Sequence, residues 1–173
     1  MSKSKVISTD DILATLCHSV TGVLTSASGN GISYSAMVQK ITRTCMRPDI
    51  GCFVLFDGGF TGLVITNFTS QAAMEIYGDY MRNMGMPEDE IAHSHLSDDV
   101  SNVLGELMNQ IVGDFTSKVR EQLHTSITQN QPKMMAINKQ VQISVDTTMD
   151  RPQARRVTFT TSKQNIFYLE LAM

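Results

Sequence analysis

The sequence runs to 173 residues, with 14 Lys and Arg against 17 Asp and Glu and a formal net charge of −3. That length fits one domain with a real core, and 42% hydrophobic with 18% charged residues is the composition of a globular chain, not a disordered one. Mild acidity without a Lys/Arg cluster argues against a nucleic-acid or anionic-membrane surface, and no apolar stretch approaches the roughly 20 residues of a membrane span.

Met1 to Lys5 carries positive charge, but no apolar signal core follows. The expectation is a cytoplasmic chain with a flexible N-terminus over residues 1–8 and a single domain over 9–173. Cys17, Cys45 and Cys52 are odd in number and lack zinc-type spacing, which fits reduced thiols. Thr9-Asp10-Asp11 reads as a helix start, and Ile12, Leu16, Val20, Val23 and Leu24 then recur at a helical period until Ser28-Gly29-Asn30-Gly31 breaks it. The β-branched run from Ile32 to Thr44 predicts a strand, and Ile50 to Phe56 a second, more buried one. Asp57-Gly58-Gly59 offers a hairpin turn into a third strand, Phe60 to Phe68.

Thr69-Ser70 can cap a helix through Ala72, Ala73, Ile76 and Tyr80 that ends near Gly85-Met86-Pro87. After an acidic loop, Ser97-Asp98-Asp99 opens the longest helix, to Leu123. Gln129 to Gln131 reads as a polar linker ending at Pro132, and strands are expected over Lys133–Val145, Arg155–Thr161 and Ile166–Ala172. Within neither strand group does a helix cross between consecutive strands, so antiparallel pairing is favoured. The fold class is therefore α+β: an antiparallel sheet of about six strands with helices packed on it. The repeated helix-then-strands unit suggests an internal duplication with pseudo-twofold character, and Leu16–Gly22 aligns without gaps on Leu107–Gly113.

On the long helix, Val100, Val103, Leu104, Leu107, Met108, Ile111, Val112, Phe115 and Val119 form one apolar stripe. Asn102, Glu106, Asn109 and Gly113 lie opposite, a ladder of amide, carboxylate, amide and bare backbone. A solvated outer face is the ordinary explanation of such a ladder. Gly105 and Gly113 each cost about 1 kcal/mol relative to Ala inside a helix, and small residues there would let another molecule approach closely. His93-Ser94-His95 lacks supporting ligands for a metal, and His124 fits a helix C-terminus better than proton transfer. Met134, Met135 and Met149 read as core or strand residues, and neither Ser19 nor Ser35 has an arranged base near it in sequence.

With these residues in hand, the chain resembles the CheC/CheX/FliY family of chemotaxis phosphatases, its CheX members most of all. The family motif is Asp or Ser, three residues, Glu, two residues, Asn, then 22 residues and Pro; Glu106, Asn109 and Pro132 fall in that register. Asp49 to Ile65 is similar to the family's glycine-punctuated hairpin, and Ile166 to Leu171 to its last strand. Asn102 departs from the motif's Asp or Ser, bringing neither charge nor hydroxyl, which bears on partner affinity more than on chemistry. A second motif copy would fall on Asp11, Thr15 and His18, where Thr and His replace Glu and Asn; one active face per chain is expected.

The resemblance implies a phosphatase acting on the aspartyl phosphate of a CheY-like response regulator. It gives Asn109 the task of orienting a water and Glu106 a lysine of the partner's active site, with Asn102, Gly105 and Gly113 as partner contacts. Magnesium and the phosphorylated carboxylate would belong to the partner, leaving no cofactor or metal held by this chain. A homodimer is implied as well. The competing expectation is a noncatalytic regulator-docking module, or a flagellar-switch component, on the same fold.

Overall fold

The computed structural model describes residues 7–146 and 153–173. Most of the N-terminal expectation, and Met149, lie outside them. Helix α1 (Thr9–Ser28) starts where Ser8 Oγ accepts a hydrogen bond from the Asp11 N–H at 3.1 Å, and stops at Gly29, whose left-handed φ of 72° lets its N–H reach Thr25 O. Short strands β1 (Ser33–Tyr34), β2 (Gln39–Ile41) and β3 (Thr44–Met46) follow, then the hairpin of β4 (Ile50–Gly58) and β5 (Gly62–Phe68). Helix α2 (Ser70–Asn83), capped by Thr69, leads through a 3-10 turn at Glu88–Glu90 to α3 (Asp98–Leu123). Strands β6 (Ile127–Gln129), β7 (Met135–Ala136), β8 (Val141–Ile143), β9 (Ala154–Thr160) and β10 (Ile166–Ala172) complete the chain.

All strand pairs are antiparallel. The main sheet runs β1-β9-β10-β5-β4-β6, with β2 also on β9 and β7 also on β4; β3 and β8 form a separate two-stranded sheet. The six-strand path matches the expected architecture, but two predicted strands are not continuous. Ile32–Thr44 breaks into β1, β2 and the start of β3, and Lys133–Val145 into β7 and β8. Each segment leaves the main sheet partway to supply one strand of the small one, so no single ladder accommodates its length. Gln129, expected in a linker, ends β6 and pairs with Phe56.

These breaks expose the duplication more fully than the helices do. The order α-β-β-β-β-β occurs twice, as α1 with β1–β5 and α3 with β6–β10, with α2 between. The equivalent hairpins β4–β5 and β9–β10 meet back to back through the β5–β10 pair. Each half lends its first two strands to the other half's hairpin, β1 and β2 to β9, β6 and β7 to β4. The equivalent strands β3 and β8 pair with each other. The repeat unit is thus a helix and five strands, not three.

Every residue of β5 is buried, because both faces of the sheet are covered. Val64 and Phe68 join the core beneath the helices, with Ile12, Leu16, Leu104, Leu107, Ile111 and Phe115. On the opposite face, Leu63 and Ile65 pack with Met46 beneath the small sheet. The apolar stripe expected on α3 is this inward face: Val100, Leu104, Leu107, Met108, Ile111, Val112, Phe115 and Val119 are buried, and Val103 is partly so. Among the described residues, no helix is long and apolar enough to cross a membrane.

Candidate functional site

Because the stripe turns inward, the ladder on α3 turns outward. Ser97 opens the helix by accepting from the Asp99 N–H at 3.2 Å, and Asp98 and Asp99 favour the positive end of the helix dipole. At the far end His124 is the C-cap, in the left-handed region at φ 53°. Between them Asn102 and Glu106 are exposed and Asn109 is half-buried. Glu106 and Asn109, three residues apart, present Cβ atoms about 5–6 Å from each other on one helix face.

That face forms one wall of an open cleft of about 380 Å3. Asp98, Ser101, Asn102, Gly105, Glu106 and Asn109 come from α3, and Gln131, Pro132, Lys133 and Met134 from the strap between β6 and β7. The structure therefore brings Pro132 into the lining of the same cleft as the two motif residues, despite the 22 residues between Asn109 and Pro132. The strap is held from both sides. The Asn130 side chain mimics a strand partner for β4, accepting from the Leu55 N–H at 2.7 Å and donating to Phe53 O at 3.4 Å. Beyond it, Met135 pairs with Gly51. Burial alternates along the strap: Pro132 and Met134 are buried, Gln131 and Lys133 exposed.

A Cβ on Gly105 would sit 4.0 Å from Met134 Cγ, an ordinary contact, and one on Gly113 would meet nothing within 4 Å. Internal packing requires neither glycine. Gly105 lines the cleft; Gly113, one turn beyond Asn109, does not. Asp98, Ser101, Gln131, Lys133 and Met134 are lining residues that sequence reasoning did not assign. Asp98 could have been found, since it stands four residues before Asn102 and eight before Glu106 on the same face. The strap residues carry no periodic signal that ties them to α3.

The equivalent face of α1 has no such pair. Thr15 is buried and its hydroxyl donates to Asp11 O at 3.0 Å, while His18 is exposed with its ring 6.5 Å from that of Tyr34. The three cysteines are buried and unpaired. Burial pushes Cys17 up to about 12, and pushes Cys52 up to about 11 against a hydrogen bond with Thr66, so these two thiols are poor nucleophiles. Among the described residues, no group of three or more His, Cys, Asp or Glu is placed to hold a metal, and His93 and His95 stand without further ligands.

The fold has solved relatives. A chemotaxis protein CheX from Desulfovibrio desulfuricans superimposes with a TM-score of 0.74 at 19% identity, covering 93% of this chain and 97% of that one. The CheX of a CheX–CheY–BeF3–Mg2+ complex from Borrelia burgdorferi gives 0.67 at 15% identity, over 94% and 97% of the two chains. FliY from Thermotoga maritima gives 0.63 at 15% identity, over 97% and 91%. None of the curated proteins matches in sequence. A family model described as a protein of unknown function, DUF3334, matches residues 3–173. The chain belongs to that family, and its fold is the one shared by the CheX, CheC-like and FliY chemotaxis proteins.

Proposed function

We propose that the protein hydrolyses the aspartyl phosphate of a CheY-like response regulator by presenting α3 to the regulator's phosphorylation pocket. The observation that carries this reading is the pairing of Glu106 and Asn109 on an accessible helix face, inside a cleft completed by Pro132. The CheX likeness, and the CheY partner in the Borrelia complex, support the same assignment.

An acyl phosphate is already activated, and its transfer to water demands positioning and charge stabilisation more than covalent chemistry. The Asn109 amide holds both a donor and an acceptor, so it can fix a water in line with the scissile bond. Glu106, one turn away, pairs with a lysine in the regulator and sets the docking register. Magnesium and the phosphorylated carboxylate belong to the regulator. No covalent intermediate forms on this chain. The site acts in the cytoplasm, and a homodimer, as the CheX likeness implies, forms part of the same reading.

The test charges a stand-alone receiver domain with acetyl phosphate and follows loss of the acyl phosphate. Asn109→Ala is expected to slow hydrolysis at least tenfold, with thermal unfolding unchanged because the side chain is only half-buried. Glu106→Lys is expected to weaken the complex through like-charge repulsion, read by titration calorimetry. Equal rates for wild type and Asn109→Ala would reject the role given to that amide. The docking-module reading draws on Asn102, which lacks the charge or hydroxyl of the motif's first position; a wild-type chain that binds the regulator without accelerating hydrolysis would establish it instead.

A further inference from the structure

The cleft has a charge problem. Its helical wall bears two carboxylates, Asp98 and Glu106, yet the reading above requires it to approach a phosphoryl group that is itself anionic. One lining residue opposes that charge, and it stands on the other wall. Lys133 is exposed, projects from the strap between buried Pro132 and Met134, and forms no ion pair among the described residues, with the carboxylates of its own cleft included. It has no structural task that would explain its place: Pro132 and Met134 supply the burial, and Asn130 and the β7 pairing supply the anchorage. A lysine on a freely moving loop would add an undirected charge. This one is carried by a segment pinned to β4 at both ends, facing the helix that carries Asn109.

We propose that Lys133 is a recognition group for the phosphorylated form of the partner, its ammonium meeting the anionic phosphoryl pocket from the wall opposite Asn109. This deepens the phosphatase reading and rests on it. With Glu106 engaged by the regulator's lysine, Lys133 is left as the cleft's free cation, and the two charge pairs run in opposite senses across the interface. Crossed pairs of that kind fix orientation and reject a partner offering the wrong pattern. They also give the chain a means of distinguishing the charged regulator from the uncharged one before any chemistry occurs.

The experiment compares wild type, Lys133→Ala, Lys133→Glu and Lys133→Arg on one receiver domain in two states, unmodified and bound to beryllofluoride with magnesium. Lys133→Ala is expected to weaken binding of the beryllofluoride form about three- to tenfold while changing affinity for the unmodified form less than twofold. The Glu variant loses more and the Arg variant recovers most of the affinity. In turnover assays the Ala variant raises KM with kcat little altered, and the salt dependence of kcat/KM becomes shallower. Equal losses for both receiver states, or none for either, would overturn the proposal; a purely structural Lys133 would give the first pattern. A wild type without turnover would fail the phosphatase reading itself, whereas wild-type turnover with unaltered Ala and Glu variants fails only the role of Lys133.

Discussion

Glu75 illustrates how a single buried carboxylate organises a turn far from the cleft. It projects from α2 into the β9–β10 connection, where one oxygen accepts from the Ser162 hydroxyl at 3.3 Å and the Lys163 N–H at 3.0 Å. The other accepts from the Thr161 hydroxyl and from Asn165 Nδ2 at 2.8 Å. Burial alone would raise its pKa, but these four donors outweigh burial and hold it below the ordinary value of 4.5. A carboxyl whose folded pKa is depressed adds stability above its unfolded pKa and loses it as pH falls through the folded one. Unfolding free energy is therefore expected to decline as pH drops below about 4.5. Glu75→Gln removes that component, because its amide does not titrate there. It also turns an NH2 toward two donors, which costs about 1–3 kcal/mol at neutral pH. Urea titrations of both proteins between pH 3 and 7 check this; parallel pH profiles would show that Glu75 does not carry the acid sensitivity.

At the level of elements, legibility in the sequence followed length and locality. The bounds of α3 could be read almost to the residue, since Ser97-Asp98-Asp99 is a local cap signal and the apolar stripe runs from Val100 to Val119, over more than five turns. The β4–β5 hairpin was equally visible, because Gly58 must adopt φ 130° and a Cβ there would stand 2.6 Å from Ser126 O. Strands β1, β2, β3, β7 and β8 were not, since two or three residues hold no period and each is fixed by a partner from the other half of the chain. The candidate site divides the same way. Its helical wall lies in one stretch of sequence with the spacing of Glu106 and Asn109. Its second wall depends on where β6 and β7 lay the strap across β4, which no local pattern encodes.

Across the whole molecule the sheet separates two layers with different tasks: helices bearing the cleft on one face, the β3–β8 pair on the other. Glu170, fully buried on β10, ties the second layer down. It accepts from the Cys45 N–H of β3 at 3.0 Å, pairs with Arg47 just beyond β3, and receives Arg156 Nε of β9 at 3.3 Å. Glu170→Ala would leave both guanidinium groups, each largely covered, without a counter-charge, a loss on the order of 3–5 kcal/mol. The damage should be directional. Amides of Thr44–Met46 and Val141–Ile143 are expected to exchange at least tenfold faster with solvent, because β3 loses both its backbone acceptor on Glu170 and the neighbouring ion pair. Amides of α3 that exchange through openings of the helical layer alone, with β3 still in place, should be unchanged, and the proposed hydrolysis of the regulator's acyl phosphate should persist below the melting temperature. Hydrogen exchange resolved by segment measures this. Equal acceleration in α3 and in β3 would mean that the two layers open together, and that the helix presenting Glu106 and Asn109 depends on the far side of the sheet for its order.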